Sequence, residues 1–310
     1  MAFDFASVSA PFRMQPGLRR LGPGAAQLTP NRLGDAALAE KLAVLSAHAD
    51  QALLAAPGFD AQPTLHALAA HAVAEHPAAF AWDGATHLQA HHLGWSLQGD
   101  VPVGDGPPAI GDCLRALPTP WRPAALLALA FAEDFAVIDG ASAHIPWLAV
   151  CLPSHWAPED KIGRHFAQVH APVADNRTLI TASDHLARLV TGADRWERFV
   201  WTVTRHPRLS QHPQRCDAAP WPAAVDADAL AARAFFRTER QTFIPLPAHE
   251  QAIFTIHVQM QPLVDALQTP AQARQLHDAI ASMSPAVLNY RSLTDARDRL
   301  LAWLAARAAA

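Results

Sequence analysis

The chain has 310 residues, is 51% hydrophobic and 17% charged, and has a mean hydropathy near zero. That describes a globular protein long enough for one large domain or two modest ones. A formal net charge of −4, without long runs of Lys or Arg, argues against a nucleic-acid partner. No apolar run reaches the length of a membrane span, because Glu133 and Asp134 break LLALAFAEDFAVI.

From the N-terminus, MAFDFASVSAPFRM lacks the basic start and apolar core of a signal peptide. The first third reads mostly helical. LGDAALAEKLAVLSAHADQALLAA carries Leu38, Leu42 and Leu45 as a helical stripe, and PTLHALAAHAVAEHPAAF predicts a second helix that stops at Pro77. VPVGDGPPAIGD reads as a loop rich in Gly and Pro. The middle changes character: FAVIDG and HIPWLAVCLPS read as two strands, APEDKIGRHFAQVH as a short helix, and Asp184 to Val190 as another. ERFVWTVT, AFFRTERQTFIPL and QAIFTIHVQM then read as three strands, and AQARQLHDAIASM and LTDARDRLLAWLAAR as closing helices. This order predicts an α+β protein with one antiparallel sheet. Two strands, a helical insert and three strands is also the order of a PAS domain, an analogy at the level of fold. The expected organisation is a mostly helical region over 1–125, a PAS-like core over 126–265 and C-terminal helices over 266–310, packed as one compact unit.

The three cysteines, Cys113, Cys151 and Cys216, are odd in number and far apart, which suits a reduced cytoplasm and gives no iron–sulfur or zinc pattern. No G-x-G-x-x-G, Walker or G-x-S-x-G motif occurs, so any electrons would arrive from another chain. Two stretches do carry candidate chemistry. In AFFRTERQTFI, alternation puts Phe235, Arg237, Glu239, Gln241 and Phe243 on one face. A cation, an anion and an amide in a row suit a small polar ligand; the ordinary reading is a solvated outer face with an Arg–Glu pair. A slip of one residue would present Arg240 instead.

In KIGRHFAQVHAPV, Ile162, Phe166 and Val169 form an apolar stripe bordered by His170. Pro172 disfavours helix at Ala171, so His170 falls in the last turn. It suits a core histidine bonded to a carbonyl, a metal ligand or an axial heme ligand, and His165 is its rival on the other side of the stripe.

The residues VCLPSHWAPEDKIGRHFAQVHAPV resemble a segment of the α subunit of heme-dependent oxidative N-demethylase and its relatives. The family pattern is a cysteine–aromatic–Pro-Ser–x–Trp run, then Lys-x-Gly, then Ile-His-x-Pro-Val. Cys151, Pro153, Ser154, Trp156, Lys161, Gly163, His170, Pro172 and Val173 match it. RTERQTFIPLPAHEQAIFTIHVQMQPL is similar to the family's Arg-x-Glu-Arg-Gln strand and the hairpin after it, and the resemblance touches PFRMQPGLRRL and NYRSL at the ends. The chain departs from the pattern at Arg198-Phe199-Val200-Trp201, where relatives read Arg-x-Asn-Trp, at Arg291-Ser292, where they read Lys-Gly, and at Ala174, where a second proline is usual.

The resemblance implies heme b in a PAS-type fold, with His170 as axial ligand to the iron and Lys161 and Trp156 beside the cofactor. Arg237, Glu239 and Gln241 become candidates for the catalytic pocket, with Tyr290 a further distal candidate. It implies demethylation of a small secondary amine, dimethylamine-like, using O2. Reducing equivalents would come from NADPH through a reductase partner carrying FMN and a 2Fe–2S cluster, with tetrahydrofolate elsewhere in the complex. Alternative readings are a heme-binding PAS-type gas or redox sensor without turnover, and a heme-free PAS-like protein that binds a small ligand or a partner. None of these involves nucleic acid or a membrane.

Overall fold

A computed structural model describes residues 3–216 and 220–309. Eleven strands follow one another along the chain: β1 (Arg19–Arg20), β2 (Leu53–Ala55), β3 (Phe80–Trp82), β4 (His87–Ala90), β5 (Trp95–Gln98), β6 (Val101–Gly104), β7 (Asp134–Asp139), β8 (Trp147–Ala149), β9 (Trp196–Thr204), β10 (Phe235–Leu246) and β11 (Gln251–Pro262). They form a seven-stranded sheet in the order β1-β9-β10-β11-β7-β8-β2 and a separate four-stranded meander β3-β4-β5-β6. Every pairing between these strands is antiparallel. The protein is therefore α+β, with two sheets where the sequence suggests one.

The large sheet is built on β10 and β11, which pair through twelve consecutive positions from Phe235↔Pro262 to Leu246↔Gln251. Their lengths follow from the alternation of apolar and polar residues seen in the sequence. On one side, Ile244, Leu246, Ile253, Phe135 and Val137 pack on the apolar helix Arg122–Ala130. Farther along that side, Phe236 and Trp201 pack on the helices Pro270–Ala281 and Arg297–Ala309. The opposite side receives the insert between β8 and β9, made of the helices Phe166–His170, Arg177–Thr181 and Ser183–Val190. There Phe243, Phe254, Phe166, Ala187 and Val190 share one apolar cluster.

Three local expectations are corrected. Leu53–Ala55 is an edge strand, not the end of a helix, because it pairs with β8 at Leu53↔Ala149 through Ala55↔Trp147. VPVGDGPPAIGD is not a loop: it holds β6 and the start of the helix Pro108–Ala116. Its glycines are present because neighbours crowd them. A Cβ at Gly106 would lie 1.9 Å from the Leu93 carbonyl oxygen, and one at Gly111 would lie 2.1 Å from the Trp95 ring. APEDKIGRHFAQVH is not one helix either. It starts as a 3-10 turn at Pro158–Asp160, reverses at Gly163 with φ +68°, and re-enters helix at Phe166. His165 caps that second helix: its Nδ1 accepts from the Ala167 amide at 3.1 Å, while Gln168 accepts from the His165 amide at 3.2 Å.

Candidate functional site

His170 occupies the last turn of the helix Phe166–His170, as Pro172 dictates. Its Nδ1 bonds to the Phe166 carbonyl at 2.9 Å, one turn back. A carbonyl only accepts, so the proton sits on Nδ1 and Nε2 carries a lone pair. No hydrogen bond engages Nε2 among the described residues. Burial, with Arg198 and Lys161 acting in the same direction and the Phe166 bond opposing, pushes the imidazole down to about 4. At neutral pH it is uncharged, the form that binds a metal.

The rival His165 is differently occupied. Its Nδ1 serves as the cap, and its Nε2 lies 3.1 Å from Asp184 Oδ1. Lys161 and Trp156 brace the helix that carries His170. Lys161 Nζ donates to the Val169 carbonyl at 2.9 Å, and burial lowers its pKa. Trp156 packs in the cluster that includes Ile162 and Val169.

Facing the insert is the side of β10 that carries Arg237, Glu239 and Gln241. This is not a solvated outer face: Arg237 is 1% exposed and Glu239 9%. The other register is occupied on the far side, where Arg240 Nε pairs with Glu197 Oε2 at 3.0 Å and Nη1 donates to the Ala26 carbonyl at 2.8 Å.

Arg237 donates from Nε to Ser154 Oγ at 2.8 Å, from Nη1 to the Arg208 carbonyl at 3.3 Å, and from Nη2 to the carbonyls of Leu152 at 3.2 Å and Pro153 at 3.4 Å. It ties two loops to the sheet. Glu239 accepts from the Ser154 hydroxyl on Oε1 and from Gln241 Nε2 at 2.6 Å on Oε2.

Strand pairing brings in a residue that linear reading passes over. Arg198 on β9 lies directly opposite Gln241, and Val200 opposite Glu239, so the Arg198 side chain shares their face. Its guanidinium makes no hydrogen bond or ion pair among the described residues, and its Nε is buried without a partner. Burial lowers its pKa, while the nearby Glu239 raises it. Arg198 is half-buried, and a buried, unpartnered Nε on a charged side chain is costly and calls for an explanation.

The helix Pro285–Tyr290 ends at Tyr290, whose phenol senses the charge of Glu239. Burial raises the Tyr290 phenol, with Arg291 opposing and Glu239 adding to the effect, although the residue remains 46% exposed. Arg291 donates to the Trp201 carbonyl and lies over the rings of Phe12 at 4.7 Å and Trp201 at 5.4 Å. Burial pushes it down to about 10. An open depression lined by Gln62, His66, Pro247 and His249 shares no residue with this site.

The structure thus gathers Glu239, Gln241 and Arg198 on one sheet face, with His170 on the insert that covers that face. Ser154, Arg198 and Arg291 were not singled out from the sequence as site residues. Ser154 had a signal in the Pro153-Ser154-x-Trp156 run, but Arg198 becomes visible only once β9 is registered on β10.

A neutral imidazole with one open nitrogen, a carboxylate and a guanidinium without a protein partner among the described residues have the chemistry to ligate a metal-bearing group and to bind a small polar molecule. The chain belongs to the family described as haem-dependent oxidative N-demethylase, alpha subunit-like, whose model matches residues 35–301. That membership makes it a heme-dependent oxidoreductase by family and a relative of one subunit of a multi-subunit enzyme. The residues present fit the group. His170 offers a fixed, uncharged imidazole for an iron, and Arg198 offers a positive charge to an anion. No helix of the described residues is long and apolar enough to cross a membrane.

Proposed function

We propose that this chain is the heme-carrying subunit of an enzyme that oxidatively N-demethylates a small, dimethylamine-like secondary amine. The observation that carries the reading is the state of His170. Its Nδ1 is anchored on the Phe166 carbonyl and its Nε2 has no partner among the described residues, in a site shared with Glu239 and Arg198. The five strands β9-β10-β11-β7-β8, with a helical insert between β8 and β9, support a PAS-like core. Heme b, when bound, supplies the redox-active iron and the activation of O2.

The chain's own residues do the rest. His170 would hold the iron through Nε2, and the carbonyl bond on Nδ1 keeps the ring in one tautomer and orientation. Lys161, by fixing the Val169 carbonyl, stiffens the turn from which His170 projects. Glu239 holds the amine as its ammonium through a charge-assisted hydrogen bond. Gln241, bonded to Glu239, keeps that carboxylate turned to one side. Arg198 would place a positive charge beside the group, a role open to it because it has no protein partner among the described residues. Arg237 acts behind the site, since its guanidinium donates to Ser154 and to loop carbonyls.

Electrons would come from NADPH through a reductase subunit that would carry FMN and a 2Fe–2S cluster, with tetrahydrofolate as a further cofactor elsewhere in the complex. The test is amine-dependent, NADPH-supported formaldehyde release by the hemin-loaded protein with a reductase. Release that needs both amine and this chain supports the reading. A heme-loaded, reducible protein that releases none with any small secondary amine overturns it.

A further inference from the structure

We propose that Ser154 is a positioning residue for Glu239: its hydroxyl, oriented by Arg237, locks the carboxylate in the rotamer that receives the substrate. The inference rests on the reading of Glu239 as the anchor of the amine, and it adds a residue and a direction to it.

The direction follows from the chemistry of the donors. A guanidinium N–H can only donate, so Ser154 Oγ must accept from Arg237 Nε at 2.8 Å. The hydroxyl carries one proton, and the remaining contact of Oγ is with Glu239 Oε1, so the proton points there. The second oxygen is met by Gln241 Nε2 at 2.6 Å. The chain of bonds therefore runs one way, from Arg237 to Ser154 to Glu239, with Gln241 closing from the opposite side. Each carboxylate oxygen keeps a lone pair for a ligand, but rotation about the Glu239 side chain would break both protein bonds.

The backbone around Ser154 is arranged to support this. Ser154 forms an isolated parallel bridge with Gln211, flanked by bonds from the Gln211 amide to the Pro153 carbonyl at 2.9 Å and from the His155 amide to the Gln211 carbonyl at 3.0 Å. The next residue, His155, adopts φ +60°, a left-handed conformation that non-glycine residues seldom take. Residues held in such conformations cluster at functional sites. The turn leaves the His155 side chain exposed while Ser154 stays turned toward β10. A serine needed merely to satisfy Arg237 would be one of several acceptors, since Arg237 also reaches three carbonyls. Glu239 has no such surplus.

The test compares wild type, Ser154→Ala, Ser154→Cys and Ser154→Thr, all hemin-loaded, by crystal structure and by kinetics with dimethylammonium chloride. Cysteine keeps the volume but is a weak donor, so it stands in if alanine unfolds the loop. Expected is a Glu239 carboxylate that leaves its wild-type position in the alanine and cysteine variants and returns in threonine. The KM for dimethylammonium should rise about tenfold, the effect of losing one well-placed hydrogen bond. Soret absorbance should be unchanged, and threonine should restore the KM. A Glu239 that stays in place without the hydroxyl overturns the proposal, whatever the kinetics show. A displaced Glu239 with unaltered KM leaves the lock standing and removes Glu239 as the amine anchor instead.

Discussion

Two arginines on neighbouring strands of the same sheet face should respond to the same substitution with opposite signs. Arg237 and Arg198 both project toward the insert, and burial lowers the pKa of both. Arg237 donates to four oxygens; Arg198 donates to none among the described residues. Replacing Arg237 with Met strands Ser154 Oγ and the carbonyls of Leu152, Pro153 and Arg208. Breaking a buried charged network of this kind costs about 3–5 kcal/mol. Replacing Arg198 with Met strands nothing. It removes a half-buried charge whose partial desolvation is offset by attraction to Glu239, so heme-free protein should gain up to about 1 kcal/mol. Urea denaturation of the two variants at neutral pH, analysed by linear extrapolation, measures both changes. The gain should come with loss of turnover, since the charge is kept for a ligand. If Arg198→Met destabilises as much as Arg237→Met, the guanidinium is structural and the argument from its missing partners fails.

Three other outcomes follow from the same geometry. Glu239→Gln keeps the shape and the acceptor for Ser154 but loses the negative charge; amine turnover should fall about a hundredfold or more at unchanged heme content, read as kcat/KM. Lys161→Met releases the Val169 carbonyl and loosens the turn that carries His170, so hemin affinity should drop about tenfold by Soret titration, with second-sphere losses of that order usual. Cys113 and Cys151 are buried, and burial raises both thiols, so a thiol reagent at pH 8 should modify neither in the folded protein and both in guanidinium chloride.

The sequence was most legible where periodicity and burial agree. β9, β10 and β11 stand close to the runs that alternation marked out, because each presents two chemically distinct faces to two different partners. The last-turn position of His170 was legible from Pro172, a local steric effect. The meander β3–β6 was not. Its strands are three or four residues long, and glycines demanded by close packing looked like loop glycines.

The site was half legible. Glu239 and Gln241 share a strand, so alternation alone placed them together. Arg198 joins them across a pairing whose register no linear pattern fixes. Arg237 shows the limit of reading a face by residue type. Charge and position matched a catalytic arginine, yet every donor contact found for it goes to the protein's own loops.

The central claim is that His170 Nε2 holds a heme iron. Its most direct test is the absorption spectrum of hemin-reconstituted wild type and His170→Ala, ferric and dithionite-reduced. The account predicts a sharp Soret band in wild type that shifts on reduction, and in the variant a loss of heme or a spectrum without histidine ligation. A variant with wild-type heme content and wild-type bands would contradict it, and the iron would have to be held by another side chain.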